Sequence, residues 1–171
     1  MDNASETLLA KVNPMLAAKI RALADDYQVQ YLDDFLTVVQ GLRDWKQQDA
    51  DYAQGRTVPG RIVTNAPAGH SWHEFGLAVD VCPQSLKGLP GWDPANPKWD
   101  WLAQRGVVLG LTVGAHFVHV PPDKPHFQLT GAFPASPTDL ARNTMSVVGI
   151  TAVWVEAGLY VIPPSQGEQS T

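Results

Sequence analysis

A single cysteine, Cys82, occurs in 171 residues, so no disulfide can form within the chain and cysteine usage leaves the redox compartment open. Charge is also sparse, with charged residues at 17% and a formal net charge of -5. The lysines and arginines are scattered, without a basic stripe or interleaved aromatic track, which argues against nucleic acid as a partner. No apolar run approaches the length needed to span a bilayer, so membrane insertion is not expected. The opening stretch "MDNASETLLAKVNP" lacks the basic region and apolar run of a secretion signal. Synthesis in the cytoplasm is therefore expected, with any action outside the cell depending on release or on a route the sequence does not encode. There is no internal repeat.

What remains is globular composition, 44% hydrophobic, in a chain of a length that suits one domain. Residues 1–162 read as that domain, and "PPSQGEQST" at 163–171 as a disordered tail. Asn13-Pro14 predicts a helix start, followed by Leu16, Ile20, Leu23 and Tyr27 at helical spacing. Residues 35–40 predict a strand leading to Arg43, and Asp44 with Gln47 predicts a capping box for a helix that runs through Tyr52 and stops at Gly55. A turn-rich loop, "GRTVPGRIVTNAPAGHS", delivers the chain to "SWHEFGLAVD" at 71–80.

From Leu77 the pattern alternates, with Leu77, Val79 and Val81 on one face and Ala78, Asp80 and Cys82 on the other. Residues 83–97, which hold four prolines, predict an irregular excursion, and Asn96-Pro97 a helix ending near Gly106. "PPDKPHFQL" predicts a short strand with His126 and Gln128 facing one way, Phe127 and Leu129 the other. Ser136-Pro137 opens a last helical region with Leu140, Val147, Val153 and Trp154 at apolar positions, interrupted or ended by Gly149 and Gly158.

Hydrolytic zinc takes three nitrogen or oxygen ligands from protein and keeps a fourth position open. His73 and Asp80 offer two ligands from a loop and the strand after it, with Gly76 allowing the bend between them, and His126 offers the third from a second strand. Zinc chemistry of this kind needs a separate proton acceptor. Asp123, three residues before His126 and held between Pro122 and Pro125, is assigned as that general base. Arg43 is the candidate for a fixed positive charge facing an oxyanion or a substrate carboxylate.

These residues carry a resemblance. "SWHEFGLAVD" with "DKPHFQL" is similar to the S-x-H-x(6)-D and D/E-x-x-H signatures of the D-alanyl-D-alanine carboxypeptidase and L-alanyl-D-glutamate endopeptidase group of zinc peptidases. The likeness extends over about residues 30–130 and takes in phage endolysins and bacterial wall hydrolases. It implies a small single α+β domain with a central antiparallel sheet flanked by helices, one zinc ion held by His73, Asp80 and His126, Asp123 as catalytic base, and Arg43 and Ser71 in contact with substrate or transition state. It also implies peptidoglycan stem peptides as substrate, with cleavage between L-alanine and D-glutamate. The same apparatus serves a D-alanyl-D-alanine carboxypeptidase or dipeptidase. No wall-binding repeat accompanies the domain, which is expected to act as a monomer. The sequence departs from the pattern at His70, at Glu74 where asparagine is common, and in "GAHFVH".

The remaining polar and aromatic residues are assigned lesser roles. His116 and His119 are expected at the surface or behind the ligands, and Cys82 as a buried hydrophobe rather than a nucleophile. Trp72 is expected at the cleft wall, with Tyr52 and Gln54 lining the same wall. A module that keeps the zinc fold only for binding would have no need of Asp123 and Arg43.

Overall fold

The computed structural model describes residues 1–87, 90–118 and 121–162. Its first element, α1 (Asn3–Leu9), is one that periodicity does not announce. The Asp2 carboxylate caps it by accepting from the Ser5 N–H at 2.8 Å. Tertiary contact secures it: the Ser5 hydroxyl accepts from the Val38 N–H at 2.9 Å, and Leu9 is buried.

The second helix, α2 (Pro14–Gln30), begins where the sequence predicts. Asn13 Oδ1 accepts from the N–H groups of Met15 and Leu16, satisfying two of the donors that a helix start leaves open. Leu16, Ile20, Leu23 and Tyr27 form its buried stripe. Asn13 also reaches elsewhere in the fold. Its amide nitrogen donates to the Leu159 carbonyl at 3.3 Å, and its backbone N–H to that of Gly76 at 2.9 Å.

Strand β1 (Asp34–Gln40) carries the chain to α3 (Trp45–Ala53). Asp44 caps α3 by accepting from the Gln47 N–H at 2.7 Å. The Gln47 side chain, however, turns to Asp51 rather than back to the cap, so no reciprocal bond to Asp44 forms. After the long loop, a turn of 3-10 helix at Trp72–Phe75 ends on Gly76, whose φ of 63° lies in the left-handed region.

Strand β2 (Ala78–Ser85) includes the first three residues of the expected excursion. Pro83 is tolerated there because β4 covers β2 only at residues 78–80, while Pro83 itself is aligned with Leu36 of β1. Helix α4 (Lys98–Val108) runs past Gly106 instead of ending there. That glycine serves packing, since a Cβ on it would lie 2.6 Å from the Phe127 ring. The two-residue β3 (Thr112–Val113) and β4 (His126–Gln128) follow, then α5 (Asp139–Val147), capped by Thr138, and α6 (Ile150–Glu156).

The sheet order is β1-β2-β4-β3, antiparallel throughout, which makes this a small α+β domain. Val79, Val81, Leu36, Val38 and Phe127 share one core with Leu9, Leu16, Ile20, Leu23, Trp99 and Leu102. A second core holds Trp72, Phe75, Leu77, Ala141, Val153 and Leu159. Leu77 thus precedes the strand and leaves the face shared by Val79 and Val81. In the C-terminal helices, Val153 and Ala141 are the buried positions, whereas Leu140 and Val147 are exposed. Among the described residues, no helix is long and apolar enough to cross a membrane. Residues 163–171, read from sequence as a disordered tail, lie outside the described residues, as does His119.

Asn13 therefore joins a helix start, the Gly76 turn and the end of the C-terminal core. Asn13→Ala is expected to lower the unfolding free energy by about 1–2 kcal/mol in urea denaturation. Asn13→Asp, which keeps the cap acceptors and loses the bond to Leu159, is expected to fall between the two.

Candidate metal centre

Antiparallel pairing puts Asp80 of β2 opposite His126 of β4. Two residues along the same ladder, Ala78 stands opposite Gln128, so all four side chains project to one side of the sheet. His73 reaches this side from the 3-10 turn. Its backbone carbonyl accepts from the Arg43 N–H at 3.2 Å, tying the turn to the end of β1. The left-handed Gly76 then redirects the chain into β2.

The result is a triangle of ligand-type atoms. His73 Nε2 lies 3.2 Å from Asp80 Oδ1 and 3.2 Å from His126 Nδ1, and His126 Nδ1 lies 3.3 Å from Asp80 Oδ1. A tetrahedral zinc ion with ligands at about 2.0–2.1 Å has ligand-to-ligand edges of about 3.3 Å. The three atoms therefore have the spacing of one face of such a tetrahedron. Among the described residues, Asp80 Oδ1 is buried without a hydrogen-bond partner, and an anionic oxygen in that state calls for a cation. Two nitrogens and one oxygen also form a donor set that suits zinc. His73 Nδ1, on the far side of its ring, lies 3.0 Å from the Gly41 carbonyl oxygen. A carbonyl can only accept, so Nδ1 carries the proton and Nε2 presents a lone pair to the triangle.

Electrostatics separate the two acids. Burial acts to raise the Asp80 pKa, yet the neighbouring His73 and His126 overcome it and hold the carboxyl well below the usual carboxylate range. Asp123 moves the other way, raised by burial and then by the negative charge of Asp80, against opposing effects of His126, His73 and Arg43. The residue is exposed as a whole, yet it lies close enough to these charged neighbours to respond to them. Burial lowers the His126 pKa, but the close Asp80 carboxylate outweighs it and the net shift is upward.

Gly114 shapes the approach of Asp123. Its carbonyl accepts from the Asp123 N–H at 2.9 Å, and Asp123 in turn accepts at its carbonyl from the His126 N–H at 3.1 Å. A Cβ on Gly114 would lie 2.3 Å from the Asp123 carbonyl oxygen and 2.8 Å from His126 Cβ, so no larger residue permits this turn in its present form.

Arg43 is held firmly. Its side chain is 11% exposed and pairs with Asp51 at 3.4 Å, while Nη1 donates to Gln48 Oε1 at 2.9 Å. Its Nε is buried with no partner among the described residues. Gln48 is fully buried and also donates to the Ala66 carbonyl at 2.6 Å, fastening Arg43 to the long loop. Sequence reasoning did not single out Gln48, because a neutral amide inside a polar helix has no spacing signal of its own.

Other expected site residues are distributed differently. Trp72, expected at the cleft wall, is 2% exposed. It stacks on Phe133 and donates from Nε1 to the Ala135 carbonyl at 2.9 Å, so it belongs to the second core because its large apolar face finds partners there. Ser71 begins the turn that bears His73, and its backbone N–H donates to the buried Glu74 carboxylate at 3.0 Å. Glu74 also accepts from the Gly69 N–H at 2.8 Å. Tyr52 lies beneath the Arg56 guanidinium, 4.0 Å from ring centroid to carbon. Gln54, at the end of α3, bridges to Val58. Neither Tyr52 nor Gln54 belongs to the metal-ligand cluster. His70 and His116 are exposed. Cys82 is 1% exposed and donates to the Pro83 carbonyl. Burial raises its pKa and keeps it a thiol.

Known proteins resemble this chain in sequence and in fold. Residues 9–114 match the family described as VanY, D-alanyl-D-alanine carboxypeptidase, and the chain belongs to that family. The matched stretch contains Arg43, His73 and Asp80 and ends before Asp123 and His126. The chain is 37% identical over 101 residues to the peptidoglycan L-alanyl-D-glutamate endopeptidase CwlK of Bacillus subtilis, a match covering 55% of this chain and 60% of that protein. Among solved structures, it resembles the L-Ala D-Glu endopeptidase ChiX of Serratia marcescens with a TM-score of 0.51 and 26% identity, over 76% of this chain and 89% of that one. The L,D-carboxypeptidase DacB of Streptococcus pneumoniae shares the fold with a TM-score of 0.50 and 19% identity, over 70% of this chain and 67% of that one.

Gly114 gives a direct test of the arrangement. Gly114→Ala is expected to displace Asp123 and His126 together and to weaken divalent-cation binding at least tenfold by isothermal titration calorimetry, with the far-ultraviolet dichroism of the helices unchanged.

Proposed function

We propose that this protein is a zinc-dependent peptidoglycan peptidase that hydrolyses the amide between L-alanine and D-glutamate in the stem peptide. One observation carries the proposal: a zinc-sized triangle of two imidazoles and a carboxylate, with a second carboxylate, Asp123, near enough for the charges of Asp80, His126 and His73 to act on it. The likeness to CwlK and ChiX supports the choice of bond.

His73, Asp80 and His126 would hold the ion, consistent with their donor set. Zinc bound there supplies a Lewis acid that polarises the scissile carbonyl and acidifies the attacking water. Asp123 accepts the proton from that water at a carboxylate oxygen and returns it to the nitrogen of the leaving amine. Its raised pKa makes it a stronger proton acceptor than an ordinary aspartate. Arg43, immobilised by Gln48 and Asp51, keeps a fixed positive charge near the developing oxyanion. Ser71, at the edge of the turn bearing His73, is assigned to substrate contact, as are Tyr52 and Gln54. The catalytic unit is assigned to residues 1–162.

The test is digestion of purified peptidoglycan of defined composition, with fragments identified by mass spectrometry. The expected product carries a new N-terminal D-glutamate, disappears with a chelator and returns with added zinc. Release of terminal D-alanine instead would favour the carboxypeptidase activity after which the matched family is described. Asp123→Asn is expected to retain zinc and to lose activity by about 10²–10⁴-fold. A variant that digests the wall as fast as the parent removes Asp123 from the chemistry.

A further inference from the structure

The two candidate histidine ligands face the triangle with different nitrogens, His73 with Nε2 and His126 with Nδ1. Each ring must therefore carry its proton on the opposite side. For His73 the Gly41 carbonyl enforces this, because a carbonyl only accepts. His126 has no such carbonyl. Its outer nitrogen, Nε2, lies 2.9 Å from Gln128 Oε1, and a glutamine amide can accept or donate according to which end it presents.

We infer that Gln128 is a positioning residue for the metal centre: its amide, locked in one orientation by the Ala135 carbonyl, keeps His126 in the Nε2–H tautomer and leaves Nδ1 free to bind the ion. The inference rests on the peptidase reading only for the identity of that ion. Gln128 Nε2 donates to the Ala135 carbonyl at 3.1 Å. Flipping the amide would set Oε1 against that carbonyl, acceptor against acceptor, and would point an N–H at His126 Nε2. The imidazole would then have to accept at Nε2 and carry its proton on Nδ1, where the ion should be. One backbone carbonyl thus decides which nitrogen of His126 can bind the metal.

The sheet places Gln128 for this role. His126 and Gln128 are alternate residues of β4, so they share a side, and the residue opposite Gln128 in β2 is Ala78, whose methyl group leaves room for the amide. Gln128 is 2% exposed, which shields both of its hydrogen bonds from competing water. The Ala135 carbonyl also accepts from Trp72 Nε1 at 2.9 Å, so the turn after β4 is fixed independently of Gln128.

The test uses the full chain. In zinc-free protein with ¹⁵N-labelled histidine, at a pH high enough to leave the ring neutral, the imidazole shifts of His126 in the parent are expected to report the Nε2–H tautomer. The Nδ1–H tautomer would overturn the inference without any variant. Gln128→Ala is expected to mix the tautomers and to weaken zinc binding by about 10–100-fold in competition with a chromophoric chelator. Gln128→Glu, whose buried carboxyl can keep a proton toward the Ala135 carbonyl and accept from the same N–H at its other oxygen, is expected to restore affinity to within about threefold of the parent. The cobalt(II) absorption spectrum, recorded for each form, is expected to shift in Gln128→Ala and to return in Gln128→Glu. If Gln128→Ala binds zinc like the parent with His126 still in the Nε2–H form, the inference fails while the peptidase reading stands. If the parent itself binds no zinc, the peptidase reading fails, and the tautomer in the zinc-free protein still decides the role of Gln128.

Discussion

The pairing of Asp80 with His126 across β2 and β4 is the constraint on which the site depends. Side chains alternate along a strand, so a slip of one residue in this register would send His126 into the apolar core and bring Phe127 to Asp80. The register is held from the core side. Phe127 is fully buried among Val79, Val113 and Trp99 in the larger cluster, and the energy of burying an aromatic ring opposes any such slip. A hydrophobic contact on one face of the sheet thereby sets the spacing of polar atoms on the other.

Two glycines let the rest of the site close around that ladder. Gly76 supplies the left-handed turn that brings His73 up to Asp80. Gly114 lets the segment bearing Asp123 press against the strand bearing His126. Asn13 links the first of these turns to the body of the protein through its bond to the Gly76 carbonyl. The site is thus assembled from backbone features at four separated segments, none of which provides chemistry by itself.

Much of this was legible in the sequence where a local physical rule sufficed. Asn13-Pro14 announced α2 because an amide cap and a proline at the first helical position are local signals. Alternation over residues 78–82 and 126–128 put Asp80, His126 and Gln128 on the correct side of their strands. The rules failed where tertiary contact outweighed them. Helix α1 is held by Ser5 bonding to a distant strand, and Gly106 lies within a helix because Phe127 needs the space. Trp72 moved from the expected cleft wall to the core because Phe75 and Phe133 receive it. Gln48 and Gln128 carry no site signal in the sequence for a related reason: a neutral amide acquires a role only from the partners it meets in three dimensions.

The two acids of the site show how one fold can assign opposite tasks to the same functional group. Asp80 stands between two imidazoles, which hold it ionised in spite of its burial. For Asp123, burial and the charge on Asp80 together raise the pKa. The first effect partly causes the second, because the more completely Asp80 stays charged, the less readily Asp123 gives up its proton. In the proposed reading this coupling makes Asp80 a ligand and Asp123 a proton carrier. Arg43 limits how far the shift can go, since its positive charge acts on Asp123 in the opposite direction. Its bonds to Gln48 and Asp51 keep that charge in place. An arginine free to swing away would let the Asp123 pKa rise further.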